Sequence, residues 1–296
     1  MEHEGENGSG DSVSESNSSD IAGVAGASTD STGVEKLREL VKRGETEDKI
    51  LSPWWIAVII VLDIASVLSF LILKILRGLT PFEYLIEHRF PVHTGIKASL
   101  AGSTSVTLTS TPEMYTRLCI VLAGIFYIAM LLVLIYIYVS LISRRNKHFE
   151  RTRELYGVLA DCLEEKGDGE LAWKVREIAR RSEIETGRRN VAGWVVLSLI
   201  PVVNMVARPY VFHFLTRDYF VHERYEEMIL DCLSGKFEKL HLVNFEYPDR
   251  DTVMYYLFTI VTFGIFWFYW MYTLFADPNR HFREHRMFEE LLLEEL

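Results

Sequence analysis

Lysine and arginine are missing from positions 1–33, which carry seven acids (Glu2, Glu4, Glu6, Asp11, Glu15, Asp20 and Asp30) among Gly and Ser. A segment with so few large apolar residues cannot offset its ordering entropy, so residues 1–33 are expected to form a disordered acidic tail. The tail also lacks the basic-then-apolar pattern of a signal peptide, so the first apolar block must act as its own insertion signal. Without the tail the formal charge of −10 falls to −3, which leaves no strong attraction for nucleic acid. Cysteine is scarce. Cys119, Cys162 and Cys232 show neither a C-x-x-C pair nor the spacing of a disulfide framework. No G-x-S-x-G, P-loop, G-x-G-x-x-G or haem-attachment pattern occurs.

What the chain does have is clustered apolarity, in four blocks near 53–76, 116–142, 191–215 and 253–276. The last has no charged residue from Val253 to Ala276 and is crowded with aromatics. A helix of that length, roughly 36 Å, would cross a hydrocarbon core of about 30 Å. Ser52-Pro53 and Thr111-Pro112 are helix-start signals for the first two blocks. The third block holds Pro201, Asn204, Arg208 and Pro209, and reads either as a kinked span or as a re-entrant hairpin turning near Pro201 to Asn204, with the span preferred. The expected fold is an all-α integral membrane protein of four transmembrane helices, the third kinked or re-entrant, with cytoplasmic amphipathic helices. Residues 34–142 form a first two-span unit with an outside loop at 77–115, opening on an amphipathic helix at 34–50. Residues 143–189 form a cytoplasmic helical hairpin turning at Lys166-Gly167-Asp168-Gly169. Residues 190–296 form a second two-span unit ending in a C-terminal amphipathic helix.

Lys and Arg set the orientation. The tail before the first span has five, 143–189 has twelve and the C-terminus three, against three in 77–115 and five in 214–252. Both termini are therefore expected in the cytoplasm, in a multi-pass protein of the cell membrane. An internal repeat agrees with a duplicated two-span unit: Asn146-Lys147-His148-Phe149 follows the second block and Asn279-Arg280-His281-Phe282 the fourth, in the same register throughout. A weaker echo, His222-Glu223-Arg224, follows the third. The preferred reading of Asn146, His148, Phe149, Asn279, His281 and Phe282 is a helix-exit motif in which Asn caps the next helix and Phe anchors at the interface. The alternative is a headgroup or partner contact.

Thr262-Phe263-Gly264-Ile265-Phe266-Trp267-Phe268-Tyr269-Trp270, followed by Asp277-Pro278-Asn279-Arg280-His281-Phe282, resembles a prokaryotic group of multi-pass membrane proteins of unknown function. Their terminal span carries T-x-G-I-Y-x-x-Y-W, with Phe266 standing here for the usual Tyr. The stretch from Asp218-Tyr219 to His222-Glu223 is similar to that group too, so the resemblance runs from there to the C-terminus. It implies an integral membrane protein and no known activity.

His281-Phe282-Arg283-Glu284-His285 matches H-x-x-E-H. Only Arg286 to Leu296 follow, all on one short helix that cannot wrap round to complete a site, so neither a metal nor another cofactor is expected. Asp63, near the middle of the first span, is costly in lipid unless protonated, paired or facing a polar cavity. The expected function is non-enzymatic: interaction or assembly with a protein partner, or with further copies of the chain, through the amphipathic helices. The apolar stripe of Phe282, Met287, Phe288, Leu291, Leu292 and Leu296 motivates it. The alternative is a small transporter or channel using Asp63 with Asn204 and Arg208. The lipid bilayer is the one partner both readings share.

Overall fold

The computed structural model describes residues 22–89 and 111–296. Among these the secondary structure is helical, with no strand. Residues 1–21 of the expected tail and residues 90–110 of the expected outside loop lie outside the described residues.

The longest element is α3 (Thr111–Glu165). No proline follows Pro112 until Pro201, so nothing interrupts the helix for 55 residues, roughly 80 Å. Its first half is exposed and apolar (Leu118, Ile125, Leu132), and from Leu134 onward it is mostly buried. Among the described residues this is the one helix long and apolar enough to cross a membrane. α1 (Ala22–Glu47), which starts inside the segment expected to be disordered, precedes α2 (Trp54–Arg89). At Lys166–Asp168 the chain turns back into α4 (Gly169–Glu185), with Gly167 at φ 87°.

The third and fourth apolar blocks are not spans, which corrects the expectation of four transmembrane helices. α5 (Val191–Leu199) stops at Ile200, and α6 (Pro201–Ser234) starts on the proline. Pro201 pushes the residue before it into extended backbone and suits the first helical position. The two helices then fold together: Trp194 stacks on Tyr210 at 5.0 Å and lies 5.4 Å from Phe214. In a continuous helix Trp194 and Tyr210 would be roughly 24 Å apart. The hairpin of the re-entrant alternative is the observed geometry, turning at Ile200–Pro201. The fourth block does the same. α7 (Thr252–Val261), capped by the Asp251 carboxylate, reverses through Thr262–Gly264 into α8 (Ile265–Glu295). Tyr255 meets Phe266 at 5.1 Å, and Arg250 forks onto both Asp277 oxygens at 2.6 and 2.9 Å.

Phe263 and Gly264 make the second turn with φ of 51° and 91°. No atom lies within 4 Å of where a Gly264 Cβ would sit, so a side chain there meets backbone strain alone. Gly264→Ala is expected to cost about 1–2 kcal/mol, seen as a lower midpoint of thermal unfolding in detergent. An unchanged midpoint would mean that the turn relaxes freely.

Both α8 and α3 run through their Asn-x-His-Phe motifs without a break, Pro278 included, so Asn caps no new helix there. The helices share two apolar cores separated by a polar layer. One core holds Ile59, Ile137, Phe212, Leu215, Trp270 and Phe275. The other holds Leu37, Leu159, Val175, Leu233, Phe288 and Leu292. Along α3, α6 and α8 alike, the residues between these cores are polar and buried: 144–152, 216–226 and 277–285 contribute Arg144, Arg145, His148, Arg151, Asp218, His222, Glu223, Glu226, Asn279, His281 and His285. α1 is part of the second core rather than a helix lying beside a membrane. Residues 214–252, expected on the far side from 143–189, pack against them: Asp218 bonds Arg145 at 2.9 Å and Arg189 at 2.8 Å.

Candidate metal centre

The two Asn-x-His-Phe motifs meet face to face in the polar layer. His148 Nε2 and His281 Nε2 are 3.0 Å apart, and both rings are fully buried. Each ring is held from behind by a carboxylate. His148 Nδ1–H donates to Asp48 Oδ1 at 2.9 Å, from the linker between α1 and α2. His281 Nδ1–H donates to Glu223 Oε2 at 2.7 Å, from α6. Glu223 is fixed in turn by the backbone N–H of Tyr247. With both Nδ1 protons donated outward, two Nε2 lone pairs point at each other. A proton between them would make one ring cationic, and burial holds His148 well below its ordinary pKa, the Asp48 carboxylate only partly opposing this.

Two more donors reach the same point from α6. His222 and Glu226 are one turn apart on one helix face, with His222 Nε2 3.0 Å from Glu226 Oε1. Burial also lowers the pKa of His222, with the Glu226 carboxylate opposing this. Glu226 Oε2 is buried with no hydrogen-bond partner and lies 3.6 Å from His281 Nε2. The ligand atoms of His148, His222, Glu226 and His281 all fall within 4.8 Å of one another. Three imidazoles and a carboxylate suit a first-row divalent transition metal. A carboxylate behind a ligand histidine is the usual outer partner of such a site.

The charges around the cluster are paired. Asp48, Asp218, Glu223, Glu226, Asp277 and Glu289 are the buried acids of the layer. Arg151 bonds Asp48 and Glu289, each at 2.5 Å. His285 lies 2.9 Å from both Glu226 and Glu289, and although burial opposes its charge, those two acids raise its pKa to about 10. Burial alone would raise the Glu226 carboxyl, but the histidines around it, His285 among them, hold it well below the carboxylate range. Arg144 is bonded to Asn279 Oδ1 and the Leu274 carbonyl, Arg145 and Arg189 to Asp218, and Arg250 to Asp277, so with Arg151 and a cationic His285 the formal charges of the layer balance.

The motif asparagines brace the layer. Asn279 accepts from Leu51 N–H and donates to Leu51 C=O, at 3.1 and 2.8 Å. Asn146 makes the same pair with Arg189, at 3.1 and 2.8 Å. Each therefore clamps a linker that leads into an apolar helix, α2 or α5. The phenyl rings wrap the histidines: Phe282 lies 4.6 Å from His148, and Phe149 stacks on His222 at 4.1 Å.

All six motif residues come together, in a role other than the one expected of them. Against the expectation of no metal stands a candidate four-donor cluster, three of whose donors come from α3 and α6 rather than from the C-terminal helix. Glu284, the acid of H-x-x-E-H, is not among the four donors; His222 and Glu226 are. The signal was present in the echo at His222, which repeats at a third position the placing of a histidine just beyond an apolar block. The intramembrane candidates stand apart. Asp63 is exposed on α2 between exposed Val61 and Ile64. Asn204 and Arg208 lie one turn apart on α6, each with a buried polar atom that has no hydrogen-bond partner. No protein family, curated protein or solved structure matches the chain.

Proposed function

We propose that this chain is a membrane-embedded metalloprotein, binding one first-row divalent transition metal through His148, His222, Glu226 and His281. The observation that carries this reading is the pair of opposed Nε2 atoms, each ring oriented by its own buried carboxylate. The protein purified from metal-replete cells should hold about one equivalent of metal by elemental analysis, and His148→Ala or His281→Ala should hold less than about a tenth of that. Equal metal content in all three would sink the reading.

The membrane placement follows from exposure. Large apolar side chains face outward along α2 (Val61, Ile64, Leu68, Ile75), along the first half of α3, and at the two hairpin turns (Val202, Val206, Val261, Phe263, Ile265). In our reading α2 and α3 cross the bilayer, while the hairpins α5–α6 and α7–α8 enter and leave on one side, their backbone groups satisfied within helices. The tail, 143–189, 214–252 and the C-terminus then share that side, with five, twelve, five and three Lys or Arg against three in 77–115, so it is the cytoplasmic one. Cysteines introduced at Ser234 and Glu290 should react with an impermeant maleimide from the same face of the membrane, and one at Phe263 from neither. Labelling of Ser234 and Glu290 from opposite faces would restore four spans.

The assembly reading now has less behind it. The stripe that suggested a partner is covered by the chain itself, Phe288 and Leu292 being fully buried in the core of α1, α3, α4 and α6. The transporter alternative is weakened by the outward position of Asp63.

A further inference from the structure

One cavity in the molecule touches the candidate centre. It encloses about 270 Å³ beside the polar layer, and its wall includes His222, Glu226, Tyr156, Ala179 and Ser182. Two of the four metal donors are thus cavity residues. The opposite sides of the cluster are packed with rings: Phe282 lies 4.6 Å from His148, Tyr219 6.0 Å from His281 and Phe245 6.3 Å from His281.

The donor spacing bears on coordination number. With bonds of about 2.1 Å, a tetrahedron has equal edges of about 3.4 Å, whereas an octahedron has edges of about 3.0 Å and diagonals of about 4.2 Å. Here His148 and His281 are 3.0 Å apart, His281 and Glu226 3.6 Å, and all four ligand atoms lie within 4.8 Å of one another. These separations do not close a regular tetrahedron, and the cavity at His222 and Glu226 gives a further ligand room to reach the ion. Glu226 Oε2, buried without a hydrogen bond, lies at the boundary between the cluster and the cavity.

We propose that the metal keeps an exchangeable coordination position on its His222–Glu226 side, reached through this cavity by small anions with an oxygen or nitrogen donor atom. The proposal rests on the metal reading above and extends it: a purely structural metal would be closed. The cavity wall carries Arg145, Arg153 and Arg188 against Glu150, Glu183 and Glu226, so the attraction for an anion comes from the divalent ion itself.

The full-length protein in detergent, loaded with Co²⁺, provides the test. Titration with azide should shift the visible absorption of the bound cobalt saturably. Ala179→Trp, which fills the cavity without touching a donor, should keep about one equivalent of cobalt and bind azide at least about tenfold more weakly. Ala179→Leu, a smaller plug, should fall between the two and stands in should the tryptophan variant not fold. Stoichiometric cobalt with a spectrum indifferent to azide would overturn the open position while leaving the metal site standing. Azide binding unaffected by a plug that retains cobalt would overturn the route. Failure of the wild type to hold about one equivalent of cobalt would sink this proposal and the metal reading together.

Discussion

Arg151→Met is expected to destabilise the protein by about 3–5 kcal/mol, the range seen when one partner of a buried ion pair is removed. The guanidinium is fully buried and bridges Asp48 and Glu289, from the α1–α2 linker and from α8. Its removal leaves Asp48 without its guanidinium and Glu289 with His285 alone, and Asp48 is also the group that orients His148. Burial alone would raise the Asp48 carboxyl, but His148 and then Arg151 more than offset this, so its native pKa is depressed. The stabilisation this carries is fully present above the ordinary aspartate pKa and is lost as pH falls through the native value. The fit around Arg151 is tight: a Cβ on Gly44 would stand 2.8 Å from its Cζ, and the two carboxylates leave the guanidinium little room to give way. Denaturant unfolding of Arg151→Met, Glu289→Gln and the double variant would measure the coupling. A loss below about 1 kcal/mol for Arg151→Met would mean that the acids are protonated or hydrated instead.

Leu291→Asp combined with Leu292→Asp should unfold the helices around the second core rather than release a free helix from an intact body. Leu292 is fully buried and shares a core with Leu37, Leu159 and Leu163. A carboxylate there has no partner, and the cost of at least about 4 kcal/mol is a large part of a typical domain's stability. Bound metal should be lost with the fold. Circular dichroism, elemental analysis and size-exclusion profiles matching wild type would show that the helix end is peripheral.

Much of the architecture can be read from the chain, and the limits have physical causes. The apolar blocks, the turn at Gly167 and the repeated motif are local signals. The reversal at Thr262–Gly264 is not, because hydropathy is indifferent to backbone direction: Val253 to Ala276 is equally apolar whether it runs straight or doubles back. Pro201 gave more warning, since proline constrains its own neighbours. The candidate donors lie on three helices, with His148 and His281 far apart in the chain and touching in space. A motif search confined to one helix finds His281 and His285 but cannot find the partners that complete a coordination shell.

The braces in the polar layer settle where the apolar elements can move. α2 is pinned at its root by Asn279 on Leu51, α5 by Asn146 on Arg189, and α7 by Arg250 on Asp277. α6 and α8 pass through the layer as continuous rods. Each hairpin is therefore a cantilever, clamped at one end and unsupported at the other, where Val202 and Phe263 are 80% and 98% exposed. Bending grows with distance from a clamp, so thermal excursions concentrate at the two turns and fade toward the histidines.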